Sequence, residues 1–241
     1  MEALRAYLAL VGFGENGWGK ALLTATAMTC AVAVAGFLTG SIIGTLVAWA
    51  KLSRSLLLRG FGTTYTTVLR GIPDLLVIYL LYFGGSAALG TVAGFFSSDG
   101  FIGMPAFVTG MLAIGIVSGA YQAEVLRGAF LATPRGEIEA AKAVGMRAGT
   151  MLRRIVAPLV LRLALPGLGN TWQLVLKETA LISVTGLVEL LRQSQIAAGS
   201  TRRPFEFYFT AILLYLAITW VSTLLFRRAE DRTMRGLRRA A

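Results

Sequence analysis

The longest uncharged run in the sequence covers residues 21–50. A helix rises about 1.5 Å per residue, so a helix of this length exceeds the hydrocarbon core of a bilayer, which is about 30 Å thick. The run therefore predicts a membrane span. It is too long and too far from the N-terminus for a signal peptide, and no small-residue cleavage site follows it, so we expect it to remain in the mature protein.

Four further apolar runs are long enough to span a bilayer, although charged residues interrupt two of them. Only 15% of the chain is charged, against about 25% in a soluble domain. We predict an all-α integral membrane protein with one transmembrane domain over residues 1–241. Its five spans are expected at residues 22–49, 62–86, 104–128, 165–189 and 206–226.

The net charge of +11 is concentrated in three segments. Sixteen of the 23 Lys and Arg residues follow the first span, lie in or beside the loop 131–162, or form the tail after residue 226. Because one, three and five predicted spans precede them, these segments lie on one side of the membrane. The positive-inside rule makes that side cytoplasmic, with the N-terminus outside and the C-terminus inside. This distribution accounts for the basic charge without a nucleic-acid partner.

The residue types needed for several kinds of chemistry are missing. There is no histidine, and the single cysteine, Cys30, lies inside the first predicted span. These facts exclude a disulfide framework, zinc or iron sites of clustered His and Cys, and serine–histidine–aspartate catalysis. An intramembrane enzyme with two aspartates is also excluded, since Asp74 is the only aspartate in a predicted span. We expect no catalytic site, metal or cofactor in this chain.

Small residues recur at intervals of four in two predicted spans. Gly36, Gly40 and Gly44 share one helical face of the first span, and Gly115 and Gly119 share a face of the third. Such a face lets another backbone approach closely in a membrane. The pattern favours packing between helices of this chain, and a seam between two chains is the alternative.

The cytoplasmic loop contains a pattern of two short helices. Residues 137–144 are good helix formers, Gly145 can turn left-handed, and a second helix is expected to begin near Ala148. Two short helices joined by a glycine would form a compact knob on the cytoplasmic face. An ordinary amphipathic surface hairpin is the alternative interpretation.

This loop resembles the EAA signature of ATP-binding-cassette importer permeases, E-A-A-x3-G-x9-I-x-L-P. The matching positions are Glu139, Ala140, Ala141, Gly145, Ile155 and Pro158, and the departure is Ala157 in place of leucine. The resemblance implies that the knob is a coupling helix seated in a groove of a separate ATP-binding subunit. Glu139, Ala140, Ala141 and Gly145 would be its coupling residues.

Three more segments are similar to those of polar amino-acid permeases. They begin at Arg70 (RGIPD), Gly119 (GAYQAEVLRG) and Lys177 (KETALIS). Together they resemble the histidine, lysine–arginine–ornithine and opine branch of that family. The resemblance implies a type I importer core of five transmembrane helices in the bacterial inner membrane.

Three acidic residues lie in predicted spans: Asp74, Glu124 and Glu178. Each costs about 2.5–3.5 kcal/mol on insertion scales, so such groups usually face a cavity or a partner. If their helices face one another, the carboxylates line one pocket suited to an ammonium or guanidinium group. Alternatively, the nearby basic residues neutralise them. These are Arg70, Arg127 and Lys177, of which Arg70 would share a helix face with Asp74.

Two neighbours complete the expected substrate-binding residues. Tyr121 lies three residues before Glu124 and can offer a hydroxyl or a ring face on the same side. Pro73 frees backbone carbonyls, which is tolerable in a membrane only where something polar meets them.

The expected function is that of the permease subunit of an ATP-driven importer of polar, basic amino acids. Opines, or neutral or acidic amino acids such as glutamine or glutamate, are alternative solutes, and a passive channel is the rival without ATP. The expected partners are two copies of an ATP-binding subunit that uses ATP and magnesium, a substrate-binding protein outside, membrane lipid, and a second permease. Five spans enclose too little for a full pathway, and the branch resembled here usually pairs two paralogous permeases.

Overall fold

The computed structural model describes residues 2–15, 17–85, 87 and 105–234, and these residues form helices and connecting turns without a strand. The predicted all-α class is confirmed. In chain order the helices are α1 (Glu2–Val11), α2 (Gly19–Leu52), α3 (Leu56–Gly71), α4 (Asp74–Tyr79), α5 (Ala106–Leu131), α6 (Arg135–Ala143), α7 (Ala148–Met151), α8 (Ala157–Glu178), α9 (Leu190–Thr201) and α10 (Pro204–Met234). A π-helical turn, Leu80–Gly84, extends α4, and a second one, Leu152–Val156, joins α7 to α8. A 3-10 helix, Thr179–Thr185, follows α8.

Three helices of the described part of the chain are long and apolar enough to cross a membrane. They are Gly19–Leu52, Ala106–Leu131 and Pro204–Thr233, which overlap the predicted first, third and fifth spans. A helix pair, α3 with α4 and its π-helical turn, passes the same test as one bent span. The full count of five spans stays a prediction. Residues 86 and 104, at the edges of two predicted spans, and the arginines beyond residue 234 lie outside the described residues.

The predicted second span is broken rather than continuous. Its two helices, α3 and α4, meet at an angle of 108°, with Ile72 and Pro73 between them. Proline lacks an N–H donor and disfavours a helical residue before it, and Ile72 is accordingly extended, with φ −107° and ψ 149°. Our expectation that Arg70 and Asp74 share a helix face was wrong, because the helix ends between them.

The predicted fourth span, 165–189, holds two kinds of helix. α8 begins earlier, at Ala157, contains Pro166 and ends at Glu178. The 3-10 helix continues to Thr185 and is closed by Gly186 with φ 86°. Glu178 therefore lies at a change of helix type, not within a regular span.

The glycine stripes of α2 and α5 pack against each other. A Cβ added to Gly36 would lie 2.6 Å from Ile114 Cγ2, and one added to Gly115 would lie 2.7 Å from Thr39 Cγ2. The buried side chain of Gln122 adds hydrogen bonds across the contact, accepting from Ser41 Oγ at 2.8 Å and donating to the Phe37 carbonyl at 3.1 Å. The prediction that these glycines serve helix packing within the chain is confirmed. Small residues let two backbones approach closely in a membrane.

The loop 131–162 contains the two short helices predicted from its sequence. α6 begins at Arg135, and α7 begins at Ala148. Gly145 between them has φ 71°, a left-handed conformation that glycine adopts without steric cost. The backbone N–H groups of Gly145 and Met146 close the end of α6 by donating to the carbonyls of Lys142 and Ala141.

Candidate functional site

Two acidic side chains from different helices meet inside the bundle. Asp74 is the first residue of α4, and Glu178 is the last residue of α8. Their carboxyl groups lie within hydrogen-bonding range of each other, because α4 packs against the 3-10 helix that follows Glu178. Among the described residues, Glu178 Oε2 is buried without a hydrogen-bond partner. Two of the three acids expected to share a pocket are thus in contact.

An aromatic and a basic residue adjoin this pair. The guanidinium carbon of Arg70, on α3, lies 5.4 Å from the centre of the Tyr121 ring on α5. The Tyr121 hydroxyl interacts electrostatically with Asp74, Glu178 and Arg70. We call Arg70, Asp74, Tyr121 and Glu178 the polar cluster. It joins residues of α3, α4, α5 and α8.

The polar cluster carries both signs of charge without an internal ion pair. Within the ranges that the structure describes, Arg70 forms no salt bridge, and neither does Asp74 or Glu178. A carboxylate is available to receive a cation, and the guanidinium group of Arg70 is available to receive an anion. The Tyr121 ring adds a face to which cations are attracted. The arrangement suits a small molecule that carries both an ammonium or guanidinium group and a carboxylate.

Pro73 shapes the cluster through the backbone. It directly precedes Asp74 at the bend, and its carbonyl accepts a hydrogen bond of 3.0 Å from the Leu76 N–H. The bend turns α4 so that Asp74 approaches Glu178. Lys177, which we considered as a neutralising partner, is exposed and makes no ion pair with any residue that the structure describes.

Glu124 has different partners, so the expectation of one pocket formed by all three carboxylates is not met. Lys51 Nζ donates to Glu124 Oε1, and Arg127 Nε donates to Glu124 Oε2 at 3.2 Å. Thr66 lies next to the same carboxylate. The alternative, in which a basic residue neutralises the acid, describes Glu124. Arg127 was expected in that role, and Lys51 was not.

Lys51 is the functional candidate that sequence reasoning missed. Its position at the end of the first span led us to group it with the cytoplasmic positive charges, yet its side chain is only 9% exposed. The one signal in the sequence is that Lys51 ends a long uncharged run whose glycine stripe was expected to pack against another helix. The pairing of Lys51 with Glu124 can be predicted only once it is known that the helix packed against α2 is α5.

The helical knob, formed by α6 and α7 of the loop 131–162, offers a surface and a groove. Glu139 and Ala140 are exposed, whereas Ala141 is buried. Val144, at the end of α6, is 77% exposed. Beside α6 lies a groove of about 560 Å³, lined among others by Glu137, Met146, Arg154, Ile155, Pro158 and Arg162. The knob therefore presents apolar and charged groups to a partner.

A helical membrane bundle with a polar cluster at a broken span and a helical knob of this kind is characteristic of a permease that is coupled to a separate ATP-hydrolysing subunit. The sequence supports this class directly. The chain belongs to the family of binding-protein-dependent transport system inner membrane components, whose model matches residues 36–235. It is the permease subunit of a type I ATP-binding-cassette importer and not an enzyme. The ATP is used by its ATP-binding partner, and a substrate-binding protein belongs to the same system.

Named relatives and a solved structure agree with this family. The chain is 60% identical over 233 residues to the octopine transport system permease protein OccQ of Rhizobium meliloti, covering 97% of this chain and 98% of that protein. It is 39% identical over 224 residues to the histidine/lysine/arginine/ornithine transport system permease protein HisQ of Escherichia coli, covering 93% and 98%. A crystal structure of an amino acid ABC transporter with histidines matches with a TM-score of 0.76 at 30% identity, covering 89% of this chain and 95% of that chain. The predicted resemblance to importer permeases is confirmed.

Proposed function

We propose that this permease carries cationic amino acids and the opines derived from them, and that the polar cluster binds the solute. The contact between Asp74 and Glu178 is the observation that carries the proposal. Even when the two carboxyl groups share one proton, one negative charge remains, which is costly in a membrane unless a cation offsets it, and no basic side chain of the described chain pairs with either. The transported solute is then their cation.

The cluster accommodates the other half of an amino acid as well. The guanidinium or ammonium group of the solute pairs with Asp74 and Glu178, its carboxylate pairs with Arg70, and the Tyr121 ring packs beside the cation. Octopine is arginine whose α-amino nitrogen carries a carboxyethyl group, so it offers the same guanidinium group and one more carboxylate. The names of relatives that transport octopine, or histidine, lysine, arginine and ornithine, support this class of solute.

ATP drives transport through the helical knob. We assign Glu139, Ala140, Ala141 and Gly145 as the residues that seat in a groove of the ATP-binding subunit. Two such subunits close on ATP and magnesium, draw the two knobs of the permease pair together and open the permease outward. Hydrolysis returns it inward, and solute leaves to the cytoplasm. The exposed Val144 and the groove beside α6 support this docking.

A second permease completes the pathway, and a paralogue is the expected partner. Five spans enclose too little volume for a full pathway on their own. The distribution of basic residues supports an N-terminus outside and a C-terminus in the cytoplasm of a bacterium. Solute reaches the pair from a binding protein on the outer side of the inner membrane.

Uptake by the reconstituted complex tests the proposal. The complete complex in liposomes is offered binding protein with arginine, octopine, citrulline or glutamate, and import and ATP hydrolysis are both measured. We expect arginine or octopine to be imported, and Asp74→Asn and Glu178→Gln each to lower import at least tenfold while the complex still hydrolyses ATP. Asp231→Asn, which removes an exposed acid of α10, is the matched control. Import of citrulline or glutamate in preference to the cationic solutes, or normal import by both variants, would contradict the proposal.

A further inference from the structure

Helix α3 has two buried residues, Gly62 and Thr66, and both contact Lys51 of α2. A Cβ added to Gly62 would lie 2.7 Å from Lys51 Cγ, so the lysine stem lies directly against the glycine backbone. Lys51 Nζ donates a hydrogen bond to Thr66 Oγ1 at 2.8 Å. The contact surface of α3 is therefore centred on one side chain of its neighbour.

A second set of contacts holds the lysine. Glu124 of α5 accepts from Lys51 Nζ through one oxygen and from Arg127 Nε through the other. The side chains of Lys51 and Glu124 are 9% and 22% exposed. An ammonium group is costly to bury without an opposite charge, and the carboxylate of Glu124 offsets that cost. α2, α3 and α5 are joined at this point.

The position of α3 determines the geometry of the polar cluster. α3 carries Arg70 near its end, and only Ile72 and Pro73 separate it from Asp74. A shift of α3 would move Arg70 away from the Tyr121 ring and Asp74 away from Glu178. A side-chain hydrogen bond also ties α3 directly to α5, from the Tyr65 hydroxyl to the Ile116 carbonyl at 2.6 Å.

We propose that Lys51 is a positioning residue for transport. Bound by Glu124, it seats α3 on α2 and α5 and thereby fixes Arg70 and Asp74 in the polar cluster. Glu124 binds Lys51 and does not contact the solute. This inference rests on the proposed solute site. It states that the geometry of that site is maintained by an ion pair, Lys51 with Glu124, that lies outside it.

Exchanging the two charges separates this role from direct contact with the solute. If Glu124 holds Lys51, the exchanged pair Lys51→Glu with Glu124→Lys, made together with Arg127→Gln to remove the second cation that Glu124 binds, keeps the ion pair and should transport. If Glu124 contacts a cationic solute, a lysine at position 124 repels the solute and import is lost. The same variant therefore gives opposite results under the two assignments.

The experiment uses the complete reconstituted complex with arginine-loaded binding protein and measures arginine imported per ATP hydrolysed. We expect Lys51→Met and Glu124→Gln each to lower this ratio about tenfold, and the exchanged pair and Lys51→Arg to restore it to within about threefold of wild type. Lys20→Met, at an exposed lysine of the same helix α2, is the control and should change nothing. Copurification of the ATP-binding subunit and the melting temperature of each complex are recorded alongside.

Two outcomes overturn the proposal: a normal ratio for Lys51→Met, or an assembled exchanged pair that does not import while Lys51→Arg does. If the exchanged pair does not assemble, Lys51→Arg against Lys51→Gln decides, since equal ratios for these two would remove any role for the charge. Asp74→Asn is assayed in parallel. Normal import by Asp74→Asn would contradict the proposed solute site, whereas the rescue pattern at positions 51 and 124 reports on positioning alone.

Discussion

The guanidinium group of Arg70 lies over the ring of Tyr121, with 5.4 Å between the guanidinium carbon and the ring centre. The two residues belong to different helices, α3 and α5, and the Tyr121 hydroxyl also interacts electrostatically with Asp74 and Glu178. A cation over an aromatic face is stabilised by about 0.5–2 kcal/mol, depending on its exposure to water. The ring is thus suited to hold the helices together and to receive a cationic solute.

This geometry predicts that the ring matters more than the hydroxyl of Tyr121. We expect Tyr121→Phe to import arginine at a rate close to wild type, and Tyr121→Leu to import it about fivefold more slowly, the equivalent of about 1 kcal/mol. Initial uptake rates in liposomes provide the measurement, and Tyr208→Leu, an exposed tyrosine of α10, is the control. Equal rates for Tyr121→Phe and Tyr121→Leu would show that the ring has no part in transport.

The glycine stripe of α2 predicts a steep penalty for added volume. A methyl group at Gly40 would collide with Ser118 Oγ and would lie 2.8 Å from Gln122 Nε2. Overpacking of this kind typically costs about 1–3 kcal/mol, so we expect Gly40→Ala to lower the melting temperature of the purified complex. Gly60→Ala, on α3 with nothing within 4 Å of the added Cβ, should not lower it, since alanine favours a helix more than glycine does. A melting temperature for Gly40→Ala equal to that of Gly60→Ala would contradict close packing here.

Gly145 predicts a defect in coupling rather than in solute binding. Its φ of 71° is strained for a residue with a Cβ, by roughly 1–2 kcal/mol, and the space around it is open. We expect Gly145→Ala to weaken the stimulation of ATP hydrolysis by loaded binding protein, and Gly145→Asn to weaken it less, since asparagine tolerates this conformation. Gly149→Ala, also open but without a positive φ, is the matched control. Normal stimulation in Gly145→Ala would argue against a fixed knob.

The buried carboxylate of Glu189 predicts a loss of stability without a loss of solute selectivity. It is fully buried, accepts from the N–H groups of Leu191 and Arg192 at 2.7 Å each, and receives the Tyr215 hydroxyl at 3.2 Å. Removing a helix cap costs about 0.5–2 kcal/mol, and the donors left unpaired add to this. We expect Glu189→Ala to lower the melting temperature by several degrees, with Glu2→Ala, an exposed acid in α1, as the control. Unchanged melting would mean that other groups cap α9.

Much of the fold was predictable because its signals are local. Charge-free runs located the long helices, the spacing of glycines located the contact between α2 and α5, and Gly145 located the turn between the two short helices. Pairings across the bundle were not predictable in the same way. In the sequence, Arg70 has an acidic neighbour in Asp74, but the bend at Pro73 separates the two. Glu124 has a basic neighbour in Arg127, but its carboxylate also pairs with the distant Lys51.

The close contact of α2 with α5 limits how this permease moves. Ile114 and Thr39 each occupy a recess that only a glycine on the facing helix leaves open, so sliding one helix along the other would press these side chains against residues that have a Cβ. We therefore expect the two helices to move as one rigid body during transport. We expect the chain to bend instead at the junction between α3 and α4, where the helical hydrogen bonds are interrupted.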